Sequence, residues 1–321
     1  MSDYIVRTIV KKHKNKYIYE YTDKRGKSLK KKDVTPYLDG FYLPPAYEDV
    51  QIYKNKNGKI FAKGKDVKGR SQYIYNPKFT KKSAIQKYKQ LIEFGKNYHP
   101  IMKQIQKDMF SFQDSKTKQI AMILKIMNDC NFRVGNERYT KENKSFGICT
   151  IQNEHVKIKG DQVIIDFSGK KGVQNTCKVK DKKLSKNLKT RKKTLKKKDR
   201  VFTYRVNNRY HNVTAQDVNH YLKKFGKITA KNFRTWSANI TLIGLLVKHE
   251  DDDLQKALKE CVQIVADKMH HSSSICKKNY LNPELMKMFL EQNDDFHDHF
   301  KDTSNDKICN AFISFLKMTY S

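Results

Sequence analysis

A chain of 321 residues exceeds the usual single-domain size, and 67 Lys and Arg against 33 Asp and Glu leave a formal charge of +34. Aromatic residues make up 11% of it, too many for a disordered basic tail, so the balance points to a folded binder of polyanions rather than to a lysine bias inherited from an AT-rich genome. The opening MSDYIVRTIVKKHKNK holds no apolar core of signal-peptide length, and no stretch approaches the roughly 20 apolar residues of a membrane helix, so a soluble intracellular protein without membrane association is expected.

From Tyr4 to about Phe79, β-branched and aromatic residues alternate with polar ones in YIYEYT, VQIYKN and SQYIYN, punctuated by Gly26, Gly40, Gly58 and Gly69. This predicts a small antiparallel sheet, with one short helical turn at Ala46 to Val50 after the Pro44-Pro45 break. Beyond Pro77 the rhythm becomes helical, with Ile85, Tyr88, Leu91 and Ile92 and then Ile101, Ile105 and Met109 at three- and four-residue intervals, which places a hinge near Lys81 and Lys82. Helices are predicted over 116–130, 215–225, 233–247, 254–269, 283–290 and 306–318. Between them VKIKG, QVIIDFSG and NTCKVK read as a three-stranded meander over 155–180. The run 178–200 is so cationic that only Leu184, Leu188 and Leu195 argue for a packed element there. The fold class is α+β, with a β-rich domain over 1–82 and a larger, mainly helical domain over 83–321.

Cys130, Cys149, Cys177, Cys261, Cys276 and Cys309 are widely spaced without a CxxC pair, so free thiols in a reducing compartment are expected, with neither a zinc site nor a disulfide. His297-Asp298-His299 looks ligand-like, but residues two apart on a helix point to different sides, and no metal is predicted.

Three segments carry reactive side chains. Asn131 to Tyr139 (NFRVGNERY) turns through Gly135 after a helix, freeing Arg133 to enter a cleft or to pair with Glu137 four residues on. Ile228 to Trp236 (ITAKNFRTW) opens a helix, where backbone N–H groups favour an anion near Arg234. His270 to Tyr280 (HHSSSICKKNY) precedes the helix start Asn282-Pro283, which puts Tyr280 at a helix boundary. A tyrosine attacking phosphorus builds charge on the non-bridging oxygens, and two arginines, a histidine and a lysine are the donors such a site requires.

In order along nearly the whole chain, DVKGRSQYIYNPKF (66–79), FRVGNERYTKENKSFGICT (132–150), IIDFSGKKG (164–172), ITAKNFRTW (228–236) and HSSSICKKNY (271–280) resemble the poxvirus-type DNA topoisomerases IB, including those of giant viruses. The resemblance puts the family's catalytic arginines at Arg133 and Arg234, its lysine at Lys170, its histidine at His271 and its nucleophile at Tyr280, with Lys231 assisting proton transfer. It implies a groove-reading strand carrying Lys68, Arg70, Gln72, Tyr73 and Tyr75, and further DNA contacts from Arg138 and Tyr139. It also implies a monomer that clamps duplex DNA in a C shape and relaxes supercoils of both signs through a 3′-phosphotyrosyl intermediate, with no cofactor, ATP or metal. In a virus, the site of action would be the virion or a cytoplasmic factory. The chain departs from the poxvirus pattern at Ser71, where a second basic residue is expected, and in its heavier lysine run over 178–200, both of which bear on DNA affinity or preference rather than on the reaction. A tyrosine recombinase uses a closely related set of groups, but its helical DNA-binding elements ordinarily precede the catalytic domain, whereas this N-terminal region reads as β-rich. A non-catalytic nucleic-acid binder shares the charge alone.

Overall fold

The computed structural model describes residues 3–14, 16–111, 115–249, 253–302 and 304–321. The chain divides into two compact units, Met1–Lys87 and Tyr88–Ser321, and the division falls inside a continuous helix rather than at residue 82.

The first unit contains β1 (Tyr4–His13), β2 (Lys16–Asp23), α1 (Lys31–Leu38), β3 (Glu48–Tyr53), β4 (Ile60–Lys65), β5 (Ser71–Tyr75) and the start of α2 (Pro77–Met109). Its five strands form one antiparallel sheet in the order β2-β1-β3-β4-β5, over a small core of Ile5, Val34, Val50, Ile52 and Ala62. Two local expectations are corrected. No helical turn forms at Ala46 to Val50: the buried Arg7 guanidinium on β1 donates to the carbonyls of Pro44 and Tyr47, each at 3.0 Å, and the chain then enters β3. The short helix is α1 instead, which contributes the fully buried Val34 despite Pro36 in its interior. Nor does the chain break at Lys81 and Lys82, because α2 runs unbroken for 33 residues and Tyr88, Leu91, Ile92 and Phe94 keep a buried stripe beyond them.

The second unit continues through α3 (Lys116–Cys130), α4 (Glu137–Asn143), β6 (Val156–Lys159), β7 (Gln162–Ser168), β8 (Gln174–Lys180), α5 (Lys182–Lys192), β9 (Thr203–Val206) and β10 (Arg209–Asn212). It closes with α6 (Ala215–Leu222), α7 (Ala230–Leu246), α8 (Leu254–Lys268), α9 (Ser273–Asn279), α10 (Pro283–Glu291), α11 (Asn293–His299) and α12 (Asn305–Tyr320). The meander β6-β7-β8 is antiparallel, and β9 and β10 form a separate hairpin. The cationic run does fold, as α5, because Leu184 and Leu188 one turn apart are both fully buried and Asp181 caps the helix by accepting from the N–H groups of Lys183 and Leu184. At the centre stands α7, buried on almost every face. Trp236 on it packs against Phe94 and Phe312, and a Cβ at Gly95 would come within 2.6 Å of the indole. A helix surrounded in this way carries polar residues such as Arg234 and Asn239 into the interior.

Candidate active site

Arg133 lies on the loop after α3. Asn131 closes that helix in the left-handed conformation, and Phe132 is buried edge-on against Phe167 of β7, ring centroids 4.9 Å apart. The loop is then pinned by Ile148 N–H to the Arg133 carbonyl at 2.9 Å and Cys149 N–H to that of Val134 at 2.8 Å. Gly135, at φ +91°, and Gly147 are in backbone contact, and a Cβ on Gly147 would sit 2.4 Å from the Gly135 Cα, so both must lack side chains. Glu137 does not take Arg133. It pairs with Arg200 at 2.6 Å, which leaves the Arg133 guanidinium to His271, with Nη2 2.6 Å from Nε2 and 3.2 Å from Nδ1.

An arginine N–H can only donate, so the imidazole nitrogen facing it must accept and the ring must be neutral. Burial, together with Arg133, Arg234, His270 and Lys170, pushes the His271 pKa down to about 3. The histidine is therefore an uncharged donor or acceptor at neutral pH.

Arg234 faces the same space from α7. It is 2% exposed, with Nη2 donating to the Met269 carbonyl at 2.9 Å, Nε to the Tyr280 hydroxyl at 3.3 Å, and Nη1 buried without a hydrogen-bond partner in the protein. At the start of α7 two backbone amides are already taken. The Ala230 N–H is already bonded to Asn219 Oδ1 and the Thr229 N–H to Asn232 Oδ1, so the guanidinium itself is the charge on offer.

Tyr280 follows α9 directly and is 8% exposed, its ring 5.2 Å from that of His271. Burial opposes ionisation of the phenol, but Arg234, Arg133, the hydrogen bond from Arg234 and the charge of Lys231 outweigh it, and the pKa falls below the ordinary tyrosine value. The backbone here is held from within the core. Asn239, fully buried, donates Nδ2 to the Tyr280 carbonyl at 2.9 Å and accepts from Asn282 N–H at 2.8 Å, while the Tyr88 hydroxyl donates to the Leu281 carbonyl at 3.1 Å.

Lys170 is exposed on the turn between β7 and β8, close enough to act on His271. That turn is stapled by Asn175, which is 1% exposed and would leave 2.3 Å between its Nδ2 and a Cβ at Gly169. Lys231 is exposed on the first turn of α7. The structure thus brings Arg133, Arg234, His271 and Tyr280 together, the Arg133–His271 contact alone spanning 138 residues, with Lys170 and Lys231 within electrostatic reach.

Among the described residues, no group of three or more His, Cys, Asp or Glu could hold a metal ion; His299 instead lies 2.9 Å from the Ala311 carbonyl, joining α11 to α12. One expectation about the cysteines is overturned. Cys130 and Cys177 form a disulfide, because α3 packs on β8 and brings two Cα atoms 47 residues apart in sequence to 5.7 Å; Cys149, Cys261, Cys276 and Cys309 are free and buried.

The remaining sequence candidates lie on surfaces. In the first unit, Tyr73 and Tyr75 share the outer face of β5 with stacked rings 6.3 Å apart, and Phe79 extends the stack at 6.0 Å. Asp66 organises the adjoining turn. Its carboxylate accepts from the N–H groups of Lys68 and Arg70, from the Arg70 guanidinium at 2.6 Å and from Gln72 Nε2 at 2.9 Å. In the second unit Arg138 is exposed and paired with Glu142, and Tyr139 beside it is 54% exposed. Sequence reasoning missed Asp66, Asn239, Arg200 and the disulfide. Only Asn239 left a local trace, an amide inside the apolar run WSANITLIGLL that has no reason to be there unless it is bonded.

Residues 76–307 match the family model described as the catalytic core of eukaryotic DNA topoisomerase I. The chain belongs to the type IB DNA topoisomerases. Residues 18–66 match the N-terminal domain of bacterial DNA topoisomerase IB, so both units have counterparts in the family. The chain is 27% identical over 318 residues to DNA topoisomerase 1B of Acanthamoeba polyphaga mimivirus, covering 94% of this chain and 93% of that one. It is 23% identical over 285 residues to DNA topoisomerase 1B of Vaccinia virus (strain Copenhagen), covering 86% and 87%. DNA topoisomerase 1 of Mycosarcoma maydis matches at 24% over 269 residues, but these make up only 25% of that longer protein. A type IB topoisomerase acts on DNA, which accounts for the +34 charge, and among the described residues no helix is long and apolar enough to cross a membrane.

Proposed function

We propose that the Tyr280 hydroxyl oxygen attacks a phosphodiester of duplex DNA, forming a 3′-phosphotyrosyl bond as the P–O5′ bond breaks. The observation that carries this reading is the contact of the buried Arg234 with the Tyr280 phenol in the space where Arg133 meets His271. Arg234 and Arg133 lower the cost of phenolate formation, then neutralise the charge that moves onto the non-bridging oxygens. A phosphate would also give the buried Arg234 Nη1 the partner it lacks within the protein. The bond between Arg133 and the neutral His271 holds two donors side by side, and both can turn an N–H toward the phosphate when it arrives.

The leaving 5′-oxygen takes a proton from Lys170, with Lys231 assisting. Because the phosphotyrosyl bond conserves the free energy of the phosphodiester, the swivelled strand is rejoined by the reverse reaction without ATP or metal, and supercoils of either sign relax. Lys68, Arg70, Gln72, Tyr73, Tyr75, Arg138 and Tyr139 contact the duplex, and the enzyme acts as a monomer, in a virion or a cytoplasmic factory if its source is a virus.

Labelled duplex incubated with the protein in EDTA should yield an adduct that survives denaturation. Tyr280→Phe should lose that adduct while keeping its salt-dependent DNA binding. A wild-type protein that binds DNA but forms no adduct, or a Tyr280→Phe variant that still forms it, removes this mechanism. Relaxation of a plasmid by dilute enzyme, without a second target site, separates it from strand exchange.

A further inference from the structure

Cys130 ends α3, three residues before Arg133, and its carbonyl lies 3.2 Å from Nε2 of His270, the neighbour of His271. Cys177 lies on β8, opposite Ile165 of β7 and on the face directed at the core, and β7 and β8 are the two arms of the hairpin whose turn carries Lys170. The disulfide therefore joins the segment that presents Arg133, and whose Cys130 carbonyl meets the neighbour of His271, to the hairpin that presents the proposed proton donor. The Arg133 segment also meets this hairpin through a backbone bond, Phe146 N–H to the Ser168 carbonyl at 2.9 Å, through the packing of Phe132 on Phe167 and through that of α3 on β8, and the disulfide is the covalent tie among these contacts. The Lys170 turn is exposed, so its position depends on the strands behind it.

We propose that the Cys130–Cys177 bond is a positioning cross-link that sets Lys170 relative to the phosphate-binding groups, and that thiol–disulfide exchange at this pair changes the rate of leaving-group expulsion. The inference rests on the role assigned above to Lys170. The exchange balances with a low-molecular-weight thiol as reductant. Its thiolate attacks the Cys177 sulfur, the more exposed of the two, and expels Cys130 as thiolate. A second thiol then releases Cys177, so that two external thiols become one external disulfide. The reverse reaction, with a small disulfide such as oxidised glutathione as two-electron oxidant, closes the bond.

The test uses the whole protein, oxidised or reduced, with differential alkylation and peptide mass mapping to verify the state of the pair. Single-turnover cleavage is measured at a mapped site in two duplexes, one normal and one carrying sulfur in place of the bridging 5′-oxygen. A thiolate leaves without a proton, so the second duplex has no need of a general acid. Reduction should slow cleavage of the normal duplex by about tenfold or more and change that of the sulfur duplex by less than about twofold. Cys177→Ser should match the reduced wild type and no longer respond to redox state. Because reduced wild-type protein reports the same loss, the test survives a Cys177→Ser variant that fails to fold.

Lys170→Ala is the control for the underlying reading and should recover on the sulfur duplex. If it does not, Lys170 is not the acid and the proposal falls with it. If Lys170→Ala recovers, the cross-link proposal alone is overturned by any of three results: no disulfide in the oxidised protein, equal rates in the two redox states, or equal slowing of both duplexes on reduction, which would mark a merely structural bond.

Discussion

Arg234 in the second unit and Arg70 in the first are both assigned to phosphate or DNA, yet their surroundings are opposite. Arg234 is 2% exposed and bonded to a carbonyl and a phenol, with one nitrogen left over, whereas Arg70 keeps half of its side chain in water and is bonded to Asp66 in a turn that also holds Lys68 and Gln72. The Arg70 guanidinium, helped by surrounding N–H groups, holds the Asp66 carboxyl well below the usual carboxylate range, so this pair stays ionised and partly neutralises itself at any working pH. Burial lowers the pKa of Arg234 as well, but an arginine remains charged, and a desolvated cation is stabilised most by an anion delivered to it. In the proposed function the exposed arginine serves affinity and the buried one serves chemistry, because the same Coulomb attraction is screened by water in the first case and not in the second.

The comparison can be broken most directly at the buried end. Arg234→Ala should lower single-turnover cleavage by about 10²- to 10³-fold with little change in DNA affinity, and Arg234→Lys should recover only a small part, since an ammonium cannot reproduce the fork. A loss of affinity as large as the loss of rate would show that burial had not separated the two roles.

Next in size is Asn239→Ala, which strands the Tyr280 carbonyl and the Asn282 N–H in the core and should cost about 1–3 kcal/mol in urea unfolding. Cleavage should fall with it, because those bonds fix where the phenol points. Unchanged stability would mean that the amide network is redundant.

Acid titration tests the buried cluster as a whole. His271 has its pKa held at about 3, below the ordinary 6.5, so between these values the unfolded chain binds a proton that the folded one refuses. Stability is complete above pH 6.5 and should fall as the pH drops toward 3. The fall in Tm across this window should be shallower in His271→Gln, though not abolished, because burial lowers His270 and His155 in the same direction.

The smallest effect belongs to the exposed arginine. Arg70→Ala should leave the cleavage rate of bound DNA nearly unchanged, weaken binding a few-fold, and reduce the slope of log affinity against log salt by about one. A larger effect on rate than on affinity would reverse the assignment.

Much of this molecule could be read along the chain. Leu184 and Leu188 marked a helix inside a run of lysines, the glycines of the meander marked its turns, and the pairing of Tyr73 with Tyr75 followed from the two-residue period of a strand. The misreadings arose where a distant group intervened. Pairing with β1, in which Arg7 faces Val50, draws the end of the stretch expected as a helical turn into β3, and Arg200 takes the carboxylate that spacing alone would have offered to Arg133.

By itself, the sequence determined which side chains stand beside a turn, a helix end or a strand, because those preferences depend on neighbours within about four residues. Only the tertiary structure decided that Arg133 meets His271, that Asn239 holds Tyr280 and that Cys130 reaches Cys177. Each of these contacts spans tens of residues or more, and which partner a side chain meets at that range is settled by how whole helices and sheets bury one another's apolar faces.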